Sequence, residues 1–97
     1  MRVLFLLVVT SFLSHVSRAQ SLAINTTGAV ANSSSILDVS STTKGMLIPR
    51  VALLAKNNAA PVSSPATSLL VYNTAIAGSG INQVTAGYYC WDGTQWT

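Results

Sequence analysis

The chain has 97 residues, of which 49% are hydrophobic and 7% are charged, and it contains one histidine, one cysteine and two carboxylates. So few cations exclude a surface that neutralises several phosphates at once, and we expect no nucleic-acid partner. A single cysteine excludes an intrachain disulfide, and the small set of nitrogen, sulfur and carboxylate ligands predicts neither a metal site nor a cofactor.

Residues 1–19, MRVLFLLVVTSFLSHVSRA, have the pattern of a secretory signal peptide. A cation at Arg2 precedes an apolar run, and small residues precede Gln20, as at a cleavage site. The apolar run is much shorter than the roughly 20 residues that a membrane-spanning helix needs, so we expect a secreted or cell-surface product with no membrane span. Cleavage would lower the net charge from +3 to +1, because the remaining charged residues are Lys44, Arg50, Lys56, Asp38 and Asp92.

Short extended elements are predicted in the first half of the mature chain. Residues 20–35 form a Ser/Thr/Asn-rich segment that leads into the module, and its alternating residues 22–25 favour a short strand. Residues 35–40 are compatible with a strand or with one turn of helix. Residues 45–50 are predicted to be extended, because Pro49 disfavours helical geometry at Ile48.

The second half combines one short predicted helix with strands. VALLAKNN at 51–58 contains good helix formers and ends in an Asn pair, which predicts a short helix. SLLVYN at 68–73 has apolar residues in both alternating sets and predicts a strand that is buried on both faces. The predicted fold class is therefore mainly β with one short helix, a small α+β module.

Asp92-Gly93 predicts a C-terminal β-hairpin with a two-residue type I′ turn. That turn pairs Trp91 with Thr94, Cys90 with Gln95 and Tyr89 with Trp96. It also puts Tyr89, Trp91, Thr94 and Trp96 on one face. A lone hairpin is marginally stable in water, so this face must pack on something.

Catalysis is not expected from this chain. The predicted mature product has no histidine to activate a serine or Cys90, and the turn already explains Asp92. A chain of this size without disulfides or metal usually needs oligomerisation or a larger parent fold for stability. We therefore predict a protein that is not an enzyme and that forms a homo-oligomer.

Three segments resemble a module of secreted Gram-negative surface proteins and tail-fibre-like proteins: ILDVSSTTKGMLIPR (36–50), SPATSLLVYNT (64–74) and GYYCWDGTQWT (87–97). The module's pattern is similar to LDV-SSTTKGFLPPRMT, SPATGLLVYNT and Y-WDGTQW, in the same order. Ile48 departs from it by replacing the first proline of a pair. The resemblance implies a β-rich fibre neck or stalk element, residues 36–97, that assembles as a trimer and that is truncated at its C-terminus relative to longer relatives.

Three functional hypotheses follow. The leading one is a non-enzymatic, exported structural module, and its predicted assembly residues are Leu47, Ile48, Leu70, Tyr72, Tyr89, Trp91 and Trp96. The second is a small adhesin that binds a surface glycan by stacking on Tyr89, Trp91 and Trp96. The third is a truncated remnant with no independent function.

Overall fold

The structure is a computed structural model that describes residues 20–97. The predicted signal peptide, residues 1–19, lies outside the described residues. The chain divides between Lys44 and Gly45 into two compact units. The boundary predicted between residues 35 and 36 separates segments of different composition and stays a prediction; two short strands on either side of it pair with each other.

The first unit contains two short strands. β1 (Leu22–Ile24) and β2 (Leu37–Val39) run parallel and form a two-stranded sheet. The alternating apolar residues thus form the strand predicted near residue 22, and the segment around residue 37 is a strand rather than a helical turn. Pairing continues at both ends, because Leu22 donates its N–H to the Ile36 carbonyl (2.8 Å) and Ser40 donates to the Ile24 carbonyl (3.0 Å).

The second unit is built on a three-stranded sheet. β3 (Arg50–Val51) pairs parallel with β4 (Leu70–Asn73), and β4 pairs antiparallel with β5 (Gly87–Cys90). The strand predicted within SLLVYN is confirmed as β4, and the predicted mainly β fold class is confirmed with it. The predicted burial of both faces is wrong for the single chain, because only the side with Val71 and Asn73 is buried. Among residues 20–97 the helical structure is a single 3₁₀ turn at Gly80–Asn82, and no helix there is long and apolar enough to cross a membrane.

The helix predicted at residues 51–58 is wrong. Val51 lies in β3, and the following backbone groups bond to distant partners: Leu53 donates to the Asn73 side chain, and Lys56 donates to the Asn82 carbonyl (2.8 Å). Helix propensity is a weak preference, and tertiary contacts override it here.

The core of the second unit lies on one side of the three-stranded sheet. Val71 and Trp91 face this side, and Tyr89 packs on it as a half-buried side chain. The buried hydrophobic side chains are Leu53, Val71, Val84, Trp91 and Trp96. Asn73 is also fully buried, and within residues 20–97 every buried side-chain nitrogen or oxygen has a hydrogen-bond partner.

The C-terminal chain reversal is present, but its predicted register is wrong. Trp91 pairs with Trp96 rather than Thr94, and Cys90 exchanges backbone hydrogen bonds of 2.9 Å with Thr97 rather than with Gln95. The Asp92 side chain causes the difference, because its Oδ1 accepts the backbone N–H groups of Thr94 (2.8 Å) and Gln95 (2.7 Å). These bonds close a turn from Asp92 to Gln95 around Gly93 (φ +106°) and Thr94. The two-residue offset leaves Trp91 and Trp96 on a shared face, as predicted.

Candidate functional site: the outward face of the three-stranded sheet

The two faces of the second unit's sheet differ in chemistry. The β4–β5 register pairs Leu70 with Cys90 and Tyr72 with Tyr88, and side chains alternate between faces along each strand. Val71 and Asn73 point to the core and are buried, whereas Leu70 and Tyr88 remain 42% and 60% exposed. We call the side of the sheet opposite the core the outward face. It consists of Arg50, Leu70, Tyr72, Tyr88 and Cys90, together with the adjacent Leu47 and Ile48.

Two tyrosines form the centre of the outward face. The rings of Tyr72 and Tyr88 meet edge to face, with centroids 5.1 Å apart and planes at 82°. Leu47, Ile48 and Arg50 complete a shallow groove beside these rings. Edge-to-face contact between aromatic rings is favourable, so each ring stabilises the observed orientation of the other.

The segment before β3 reaches the outward face by strand pairing. Tyr72 donates its backbone N–H to the Pro49 carbonyl at 3.0 Å, which holds residues 47–50 alongside β4. The extended backbone expected around Pro49 accounts for this contact. Leu47 consequently stays 80% exposed at the rim of the groove.

The seven predicted assembly residues divide between the two sides of the sheet. Leu47, Ile48, Leu70 and Tyr72 lie on or beside the outward face, while the three aromatic residues of the C-terminal segment belong to the inner side. Sequence reasoning missed Tyr88. Tyr88 could have been found from its position next to Tyr89 in β5. Neighbouring side chains of a β-strand point to opposite faces, so if Tyr89 faces the core, Tyr88 faces outward.

The three aromatic residues of the inner side, Tyr89, Trp91 and Trp96, make contacts within the chain. Trp96 has no exposed surface, donates its indole N–H to the Asn58 carbonyl (2.9 Å) and packs at 68° to Trp91. Trp91 is 8% exposed, and the Tyr89 hydroxyl accepts the Thr85 backbone N–H (3.1 Å). The two indoles thus present no open ring face to a sugar, and the glycan hypothesis is not favoured.

Ionisable groups are sparse in the described residues. No group of three or more His, Cys, Asp or Glu side chains converges anywhere in residues 20–97. Hydrogen bonds from the backbone N–H of Thr94, the larger cause, and of Gln95 hold the pKa of Asp92 below its ordinary value of 3.8. The charged carboxylate therefore stabilises the turn. Cys90 is exposed on the outward face, where it pairs opposite Leu70.

The outward face is therefore largely apolar and uncovered in the single chain, which is the chemistry of a packing surface. No curated protein and no solved structure matches the chain. A family described as "Phage tail like trimerisation region" matches residues 23–97, which include all or nearly all of each of the five strands. The chain belongs to this family of phage tail-like trimerisation regions, as its tail-fibre-like sequence pattern indicated.

Proposed function

We propose that this protein is a non-enzymatic assembly module that is exported and that joins three copies of itself into the neck or stalk of a fibre-like surface protein. The observation that carries the proposal is the outward face, where Leu47, Leu70 and Tyr88 stay exposed although the opposite side of the same sheet is closely packed. Membership of a trimerisation family supports three as the number of copies.

The composition of the outward face suits contact between identical chains. Arg50 is its charged residue, and its long aliphatic stem can lie along apolar neighbours while the guanidinium stays in water at the edge. Tyrosine combines a large apolar ring with a hydroxyl, which is why it is enriched at protein interfaces. In a three-fold arrangement of such faces, the three Arg50 guanidiniums are like charges and would stay in water at the edge of the contact.

Covering the outward face would also stabilise the chain. Each square ångström of apolar surface removed from water contributes roughly 25 cal/mol, so the partly exposed Leu47, Leu70 and Tyr88 together offer a few kcal/mol per subunit. The net free energy of unfolding of a small domain is low, so this contribution is a large part of it. Assembly and folding are therefore expected to be coupled.

Sedimentation velocity over a dilution series tests the assembly. The purified chain should sediment with the mass of three chains at micromolar concentration, and a well-folded monomer at every concentration would refute the proposal. Tyr88→Asp should weaken assembly at least about tenfold, because it places an unpaired charge in the interface.

Ile81→Asp is the matched control for this variant. Ile81 is 90% exposed and lies in the 3₁₀ turn rather than on the sheet. It receives the same charge, and we expect it to leave the trimer intact. If Tyr88→Asp and Ile81→Asp weaken assembly equally, the outward face is not the contact between copies.

Export is tested separately. When the complete chain is expressed in a Gram-negative host, mass spectrometry of the released product should show a chain that begins at Gln20. A product that stays inside the cell with residues 1–19 attached would refute export while leaving the assembly proposal untouched.

A further inference from the structure

The first unit has an apolar face of its own. The parallel register places Leu22 opposite Leu37 and Ile24 opposite Val39. Residues two apart on a strand share a face, so these four aliphatic side chains lie together on one side of the strand pair. They are 56%, 48%, 52% and 42% exposed, respectively. We call this surface the aliphatic face.

The chain covers the opposite side of this strand pair more fully. Ala23 and Asp38, which alternate with the aliphatic residues, are both half-buried. Asp38 Oδ2 accepts the backbone N–H of Asn32 at 2.8 Å, so the connection between the strands lies against this side. The carboxylate is therefore directed away from the aliphatic face, which keeps that face free of charge.

A parallel pair of three-residue strands is not expected to leave an apolar face in water. Parallel sheets are normally covered on both faces, and an isolated pair of strands is marginally stable. Among residues 20–44 nothing covers the aliphatic face, since all four of its side chains are 42% exposed or more. A partner is needed to bury it.

We propose that this partner is the same aliphatic face of the other copies, so that the strand pair is a second self-association surface. The inference rests on the proposed trimer. The trimerisation family matches from Ala23 onward and so includes both strands of the pair except Leu22. Purely aliphatic faces complement one another, whereas a glycan or a nucleic acid would require aromatic, polar or basic groups that this face lacks.

Interface size also points to a second surface. Stable specific interfaces involve about 20 to 30 residues on each side. The outward face of the three-stranded sheet supplies far fewer, as its members show: Leu47, Ile48, Arg50, Leu70, Tyr72, Tyr88 and Cys90. A contact in the first unit would add the missing area with the same three-fold symmetry, in which side chains that lie at the axis meet their equivalents in the other copies.

Cysteine cross-linking in the complete chain tests this placement without requiring a charged substitution. Ile24→Cys is made with Cys90 retained, because Cys90 lies on the outward face. The thiols are oxidised with copper phenanthroline in air, and mass spectrometry counts the disulfides that join position 24 of one copy to position 24 of another. If three aliphatic faces meet, the thiols introduced at position 24 of different copies come close enough for a disulfide, and these disulfides form at least about tenfold faster than the corresponding ones in the control. At most two of every three chains become linked through position 24, because three thiols around one axis can make only one bond.

Ser33→Cys, again with Cys90 retained, is the matched control, since Ser33 is exposed in the connection between the strands. Equal cross-linking rates at positions 24 and 33 would overturn the inference. Sedimentation of the wild-type chain under reducing conditions separates the two proposals. A trimeric wild type without preferential linking at position 24 refutes the second surface alone, whereas a monomeric wild type refutes both.

Discussion

Asn73 Oδ1 accepts the backbone N–H of Leu53 at 2.9 Å, and this bond ties β4 to the segment that follows β3 inside the core. The same amide donates from Nδ2 to the carbonyls of Ala75 and Thr85, each at 2.8 Å. One fully buried side chain thus satisfies backbone groups from three separate parts of the second unit. It replaces backbone pairing where the chain has no regular structure.

Asn73→Ala should therefore destabilise the protein strongly. It would remove the side-chain partner of two N–H groups, those of Leu53 and Ala75, and of two carbonyls, and each such group costs about 1 to 3 kcal/mol where it stays out of water. We expect the free energy of unfolding in urea to fall by about 2 to 4 kcal/mol. Asn57→Ala at an exposed position is the control and should change it by less than about 0.5 kcal/mol. Similar unfolding midpoints for both variants would contradict this role of Asn73.

Trp96 is expected to act through packing and not through ligand binding. Trp96→Ala should lower the free energy of unfolding by about 3 to 5 kcal/mol, because it removes a fully buried ring. Trp96→Phe keeps most of the apolar volume and loses the indole hydrogen bond to Asn58, so its effect should be intermediate. Thermal unfolding at one fixed protein concentration measures both. Unchanged stability together with lost binding on a glycan array would instead support the adhesin hypothesis.

Ser68 occupies a backbone conformation that favours glycine. Its φ is +76°, and its N–H bonds to the Trp91 carbonyl at 2.6 Å, so the turn into β4 cannot relax freely. The related pattern SPATGLLVYNT has glycine at this position. Ser68→Gly should raise the free energy of unfolding by about 0.5 to 1 kcal/mol, because relief of left-handed strain exceeds the entropy that glycine loses.

Ser63→Gly is the control for Ser68. Ser63 lies in the same loop and is not among the residues with positive φ, so glycine there should leave stability unchanged or lower it slightly. Equal effects at the two positions would show that Ser68 is not strained.

Asp92 should make the C-terminal turn sensitive to acid. Its pKa in the folded chain is lowered from 3.8, so it stabilises the fold above pH 3.8, and this contribution is lost as the pH falls through the folded value. Asp92→Asn retains the Oδ1 acceptor but has no charge to titrate. We expect tryptophan fluorescence to report a smaller acid-induced loss of stability in this variant than in the wild type. Identical acid dependence of the two proteins would contradict the prediction.

The sequence alone determined the features that depend on local chemistry. Alternating apolar residues predicted β4, Pro49 indicated the extended segment that pairs with it, and the scarcity of ionisable residues directed the functional hypothesis away from catalysis and toward assembly. Export by way of residues 1–19 stays a prediction, since those residues lie outside the described structure.

Only the tertiary structure decided which side of each strand faces the core. Alternation separates Tyr88 from Tyr89 but does not say which of them is inward; the packing of Leu53 and Trp96 against the sheet settles it. The same packing accounts for the absence of the helix predicted at residues 51–58, where the N–H groups of Leu53 and Lys56 bond to partners across the fold. Helix propensity and turn type are worth about 1 kcal/mol or less per residue, and burial of large side chains outweighs both.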